Sequence, residues 1–148
     1  MKSIFDKTTR DTLIHRINQV DANSKAQWGK MNAYQMLKHC RLWEAWASGN
    51  QHNKRAFIGY LFGKIALKSI LKDDRPLTHH TPTNPEFVIK ETTGDIEAEK
   101  QQWIALLEAH EHIDQPYFVH TFFGKVTREQ VGYLAYKHAD HHLRQFNA

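Results

Sequence analysis

Cysteine is almost absent from this chain. The one thiol among 148 residues, Cys40, has no internal partner, so an intrachain disulfide is excluded. The fold must stand on its own core, and such usage fits a reducing cytoplasm, the expected location. No stretch reaches the roughly 18 apolar residues that a membrane span requires. Met1 to Arg10 alternates charge and polarity without an apolar segment, so no secretory signal is expected. Proline is scarce: of only four, Pro76, Pro82 and Pro85 fall between Lys72 and Thr93, which leaves the rest free for uninterrupted helices. Charge of one sign is also in short supply. Twenty Lys and Arg against 16 Asp and Glu leave +4, and the sequence pI is near 9.2. The basic residues are spread along the chain rather than gathered on one face, so no nucleic-acid partner is expected. With 41% hydrophobic and 24% charged residues, the composition is that of a globular protein, and the length suits one domain over residues 1–148.

What is present is helical periodicity. Five segments carry it. The first runs from Asp6, a capping residue, to Val20, with Leu13, Ile14 and Ile17 in its stripe. The second follows Asn32, an N-cap, to Ser48, and Gly49 stops it. The third covers Lys54 to Leu71, with Phe57, Ile58, Leu61, Phe62, Ile65 and Ile70 as its apolar residues. Its Gly59-x-x-x-Gly63 spacing permits close approach of another helix. The fourth opens at Gly94-Asp95 and continues to His112. The fifth begins at the capping box Thr127 to Gln130 and runs to the C-terminus. Long connections lie between the third and fourth segments, where Phe87-Val88-Ile89 reads as an extended stretch, and from Ile113 to Val126. Strand signals are otherwise sparse, and the expected fold class is all-α, a helical bundle with long inter-helix loops.

Histidine is the residue in excess. There are 11, roughly three times ordinary usage. In the last segment the buried stripe begins with Val131, Leu134 and Ala135. At 100° per residue His138 falls about 20° from Val131 and about 40° from Leu134, and His142 lies one turn further on. Gln145 continues that face, and Asp140 is expected opposite, toward solvent. A His-x-x-x-His pair on one helix face places two rings where both can reach one metal ion. In the second segment His39 shares a stripe with Met36, Leu42, Trp43 and Trp46. Alone, such a histidine is ordinarily a core residue satisfied by a backbone carbonyl. If the two segments pack together, His39 faces His138 and His142, and three imidazoles with an open position form a site for a divalent metal, with zinc and nickel both suited to imidazole. His141 flanks this face as a third ligand, an outer partner or a surface residue. His120, in the loop before the capping box, is a loop residue packed on aromatics or a proton-transfer residue at the pocket rim. Cys40 reads as a small buried hydrophobe. His79 and His80 are expected to be exposed, and His15, His52, His110 and His112 carry no pattern.

The run His120-Thr-Phe-Phe-Gly-Lys-Val-Thr127, followed by Tyr136-Lys-His138-Ala-Asp-His141-His142-Leu-Arg-Gln145-Phe146, resembles the closing motif of a domain-of-unknown-function branch of the DinB/YfiT-like metalloenzyme superfamily. Trp28-Gly-Lys-Met-Asn-Ala-Tyr-Gln-Met36-Leu-Lys-His39 is similar to that superfamily's region around its helix-two histidine. The resemblance spans Trp28 to Phe146. It implies a four-helix bundle of up-down-down-up type, a metal site of His39, His138 and His142, and a homodimer. It also implies, from characterised members, a transferase or isomerase using a low-molecular-weight thiol. His120 and His141 belong to the branch's own motif and are the candidate catalytic residues. Many relatives carry Arg-Gly-Gln after the last histidine, whereas this chain has Leu143-Arg144-Gln145.

The chemistry open to such a site follows from charge. Three neutral imidazoles leave a divalent ion its full 2+, able to lower the pKa of a thiol or a water. Thiol activation leads to S-transfer onto an electrophilic small molecule, and water activation leads to hydrolysis. A bundle that binds metal as a sensor or scaffold is the non-catalytic alternative. Arg144 and Lys125 are available to hold the carboxylates of an acidic thiol, and the Lys72 to Thr93 loop to cover the pocket.

Overall fold

The computed structural model describes residues 1–49, 56–79, 81 and 83–148. Lys54, where the third helix was expected to begin, lies outside the described residues, as do His52, His80 and Pro82. Among the described residues there are five α-helices: α1 (Lys7–Gln19), α2 (Ala33–Ser48), α3 (Phe57–Ile70), α4 (Ile96–Ala109) and α5 (Arg128–Gln145). Their starts follow from local chemistry. Asp6 accepts from the Thr9 amide at 2.7 Å, and Asp95 from that of Ala98 at 2.9 Å. Asn32 with Gln35 and Thr127 with Gln130 form reciprocal capping boxes. Each satisfies amides that the first turn leaves without a helical partner, worth about 1 kcal/mol apiece. Gly49 does end α2, with extended rather than left-handed backbone (φ −92°).

An all-α, four-helix bundle of up-down-down-up type is not what folds. Besides five helices there is an antiparallel hairpin, β1 (Tyr117–His120) and β2 (Gly124–Thr127), in the register Tyr117↔Thr127 to His120↔Gly124. The connection from Ile113 to Val126 holds aromatic and β-branched residues that suit a pleated, half-buried surface. Phe118 and Val126 face each other across the ladder, and both point into the core. The extended stretch expected at Phe87-Val88-Ile89 begins instead with a 3-10 turn at Pro85–Phe87, capped by Asn84, and Val88 then turns extended.

The core lies between α1, α2, α4 and α5, where Leu13, Ile17, Met36, Leu37, Trp103, Leu107 and Leu143 are fully buried. The most extensive pairing is α2 with α4. The pairing of α2 with α5 builds the site, α1 rests on α4 and α5, and α5 also backs the hairpin. A buried Glu44 from α2 meets His110 at the end of α4, a pairing no sequence pattern announced. Asp140 is buried rather than solvent-facing, because Arg16 of α1 and Arg144 both bind its carboxylate at 2.7 Å.

The third helix departs furthest from its expected packing. Of the six apolar residues named for it, Phe57, Ile58, Leu61, Phe62 and Ile65 are exposed and Ile70 is half-buried. Its inward face is Gly59, Gly63 and Leu67. Both glycines admit a neighbour's backbone, as their spacing predicts, but the neighbour is the hairpin turn at Phe122 rather than a helix. A Cβ at either would overlap the Phe122 carbonyl oxygen.

Candidate metal centre

The α2 and α5 faces converge on three imidazoles. His39, His138 and His142 each bring one ring nitrogen to within 4.8 Å of the others, and no carboxylate belongs to the group among the described residues. The Nε2 atoms of His39 and His138 are 3.1 Å apart. Two nitrogens on one tetrahedral zinc, each at about 2.05 Å, are separated by about 3.3 Å, so this pair already stands near a chelating distance.

Hydrogen bonds on the far sides of two rings decide what the near sides offer. His39 Nδ1 lies 2.9 Å from the Phe87 carbonyl oxygen. A carbonyl only accepts, so Nδ1 carries the hydrogen and Nε2 of the neutral ring presents a lone pair. His142 Nδ1 lies 2.9 Å from Gln145 Oε1, and Gln145 Nε2 donates to the Trp28 carbonyl at 2.7 Å. That second bond fixes the amide's orientation, so its oxygen faces His142 and must receive a hydrogen from Nδ1. The Nε2 of His142 is then free to ligate. Such outer hydrogen bonds are what hold metal-binding histidines in tautomer and orientation. No hydrogen bond holds His138 in this way, since its Nδ1 is buried without a partner. Its ring is fixed by stacking on Trp43, with centroids 4.4 Å apart and planes 23° from parallel.

Burial keeps all three rings neutral, the form that ligates. It pushes His142 down to about 3, helped by the charge of His39 and opposed by the bond to Gln145. It holds His138 well below the usual histidine value, with His142 and His39 adding to the effect. It lowers His39 against the opposing bond to Phe87.

The other two candidates stand outside the cluster. The His141 ring packs edge-on against His142 at 5.1 Å and Trp28 at 5.6 Å, and Trp28 in turn stacks on exposed His79 at 3.9 Å. His120 closes β1 among Trp46, Phe118 and Phe123. Its Nδ1 accepts from the amides of Phe122 and Phe123 at 3.0 and 3.2 Å, so its hydrogen sits on Nε2. Burial lowers its pKa to about 4. At neutral pH it is a fixed N–H donor rather than a base.

The loop from Lys72 to Thr93 reaches the site and is tied along it. Besides the Phe87 carbonyl on His39, Gln35 binds the Ile89 carbonyl, Asn32 that of Thr92, and buried Lys137 that of Arg75. The bases expected to face a substrate are engaged elsewhere. Arg144 is paired with Asp140, and Lys125 lies over the Tyr117 ring at 4.0 Å. Cys40 is fully buried against Met36 and is held protonated by that burial.

Over residues 3–148 the sequence matches the family described as Protein of unknown function (DUF1569). The chain belongs to the DUF1569 family. No curated protein and no solved structure gives a match. The DUF1569 chain thus brings three histidines from two helices within reach of one metal ion, and among its described residues no helix is long and apolar enough to cross a membrane.

Proposed function

We propose that this DUF1569 protein is a metal-dependent enzyme of the DinB/YfiT-like kind, holding zinc or nickel with His39, His138 and His142 and acting on a small molecule, with a low-molecular-weight thiol as co-substrate. The observation that carries this reading is the pair of outer hydrogen bonds. Phe87 and Gln145 turn the Nε2 lone pairs of His39 and His142 toward a common point already facing His138. A merely structural core histidine gains nothing from having its second nitrogen left open beside two more imidazoles.

When bound, a divalent ion there supplies Lewis acidity and lowers the pKa of a thiol. The chain's own residues do the rest. Trp43 stacks on His138, Phe87 meets His39 edge-on, and Trp46 packs behind Phe87. His120 offers its Nε2 hydrogen to a substrate oxygen or sulfur. It is close enough that a proton on it would disfavour one on His138. His141 stands at the outer edge with Trp28 and His79, where it contacts substrate rather than metal.

Elemental analysis of protein purified without chelator tests the first half. About one zinc or nickel per chain is expected, and loss of that ion in His142→Ala but not in His141→Ala. Retention in His142→Ala would refute the ligand set. Turnover of model electrophiles with a panel of thiols tests the second half. Metal-loaded protein that turns over none of them would be a binding module instead.

A further inference from the structure

The connection between α3 and α4 lies along α2 and α5, and side chains hold it there. In two stretches, residues 75–79 and 84–92, its backbone carbonyls accept from helix side chains and caps. Arg75 accepts from Lys137, Phe87 from His39, Ile89 from Gln35 and Thr92 from Asn32, all within 2.7–3.1 Å. Lys38 adds an ion pair with Glu91. Among the described residues no backbone–backbone hydrogen bond joins either stretch to a helix, and Phe87 is the one buried residue in the two. A segment held by so few buried contacts opens at low free energy. Yet two of the three ligand rings depend on it. The Phe87 carbonyl fixes the tautomer of His39 directly. His79 lies flat on Trp28, at 3.9 Å and 12° from parallel, and the Trp28 carbonyl orients the Gln145 amide that holds His142.

We propose that these two stretches form a strap that positions the metal ligands, so that strap closure and ion binding are cooperative. This coupling rests on the reading that His39, His138 and His142 hold the ion. A divalent ion on Nε2 draws electron density from the imidazole and makes its Nδ1–H a stronger donor. The bond then approaches the charge-assisted class, roughly twice as strong as a neutral one. Coordination of His39 therefore tightens its grip on the Phe87 carbonyl, which stands at the end of a 3-10 turn capped by Asn84. The reverse follows by linkage. Whatever factor the ion contributes to closure of the strap, the closed strap contributes to the ion's affinity. Phe87 acts through His39, and His79 through Trp28 and Gln145, so both are positioning residues that never touch the ion. Loss of an outer partner costs about 10–100-fold in metal affinity, and that is the size of coupling expected.

Trypsin reads the strap, because exposed Lys90 lies between the tethers at Ile89 and Thr92, and cleavage of a briefly opened segment tracks its open population. The full chain carrying zinc or nickel, freed of excess ion, is expected to be cut after Lys90 about 10–100-fold more slowly than the chelator-treated chain. Phe87→Ala should lose metal affinity by that same factor, measured by competition with a chromophoric chelator, and Phe87→Leu, which keeps an apolar anchor for the turn, should recover most of it. His79→Ala, a change at an exposed ring that leaves the core intact, should lose about tenfold. Wild type that binds one ion per chain and is cut after Lys90 at an unchanged rate would overturn the strap alone. So would slowed cleavage with wild-type affinity in both Phe87→Ala and His79→Ala, the pattern of an ion that merely stabilises the whole chain. Wild type that takes up no ion fails earlier, at the ligand set, and the strap proposal falls with it.

Discussion

Gln145 shows how far a single side chain outside the ligand set can determine the centre. It closes a relay from the Trp28 carbonyl to His142, and its backbone carbonyl accepts from Gln27 at 2.7 Å. The space it occupies exists because residue 29 is glycine. The backbone there is left-handed (φ +82°), and a Cβ would sit 2.6 Å from Gln145 Nε2. Removing the amide leaves His142 free to take the other tautomer, which turns an N–H toward the ion. Gln145→Ala is therefore expected to weaken metal binding by about 10–100-fold, read by competition with a chromophoric chelator, while the helical spectrum stays unchanged. Equal affinity in the variant would show that the relay does not orient the ligand. The faces of His39, His138 and His142 were legible because helical periodicity converts sequence spacing directly into direction. Gln145 lay on the same face, yet its role was hidden, since it depends on a carbonyl 117 positions away. Asp140 was misread for the same reason: periodicity aimed it outward, and Arg16 of another helix supplied the partner that made its burial tolerable.

At the scale of elements, the capped helices follow their local signals closely, and the hairpin does not. Four-residue strands give no periodic signal long enough to compete with helix. What makes Tyr117–His120 a strand is Gly124–Thr127 beside it and α5 behind it. α3 was recognised as a helix and its glycine pair as a contact, but most of its apolar residues do not pack inward. Apolar spacing identifies a stripe, whereas the direction it faces depends on the shape of what lies opposite. Here that is the Phe122 backbone, which only glycine accommodates. Gly63→Val is accordingly expected to lever α3 off the hairpin turn and to destabilise the chain by about 1–3 kcal/mol, the usual cost of overpacking, measured by urea unfolding. Gly49→Ala, at an extended position, should cost less than 0.5 kcal/mol. Equal effects from the two would show that α3 does not rest on that turn. Displacement of α3 would also loosen His120, whose Nδ1 is fixed by the Phe122 and Phe123 amides, so the helix and the pocket are mechanically linked.

The whole molecule carries the cost of gathering neutral imidazoles in a dry interior. His39, His120, His138 and His142 all have folded pKa values below the ordinary 6.5, with burial the leading cause in each. The unfolded chain therefore takes up these protons first. The stability that rests on their neutrality is fully present above about pH 6.5 and is lost as pH falls. The loss ends for each ring only below its folded value, about 4 for His120 and about 3 for His142. Between pH 6.5 and 5 few carboxylates titrate, so histidines dominate the slope, each contributing up to about 1.4 kcal/mol per pH unit. In the presence of chelator, the urea midpoint is expected to fall steadily over that window, and less steeply in His120→Gln. With the chelator removed, zinc or nickel at pH 7 should raise it, by about 2.7 kcal/mol in unfolding free energy at a free concentration one hundred times the dissociation constant, in wild type but not in His142→Ala. Over that window the protons load the unfolded chain, whereas burial keeps the folded rings neutral, down to about 3 for His142, so the metal's contribution should hold from pH 7 to pH 5 while the chelator-treated protein declines. A metal-dependent rise that vanished by pH 5, as an ordinary imidazole takes its proton, would mean that the ion binds exposed histidines rather than these rings.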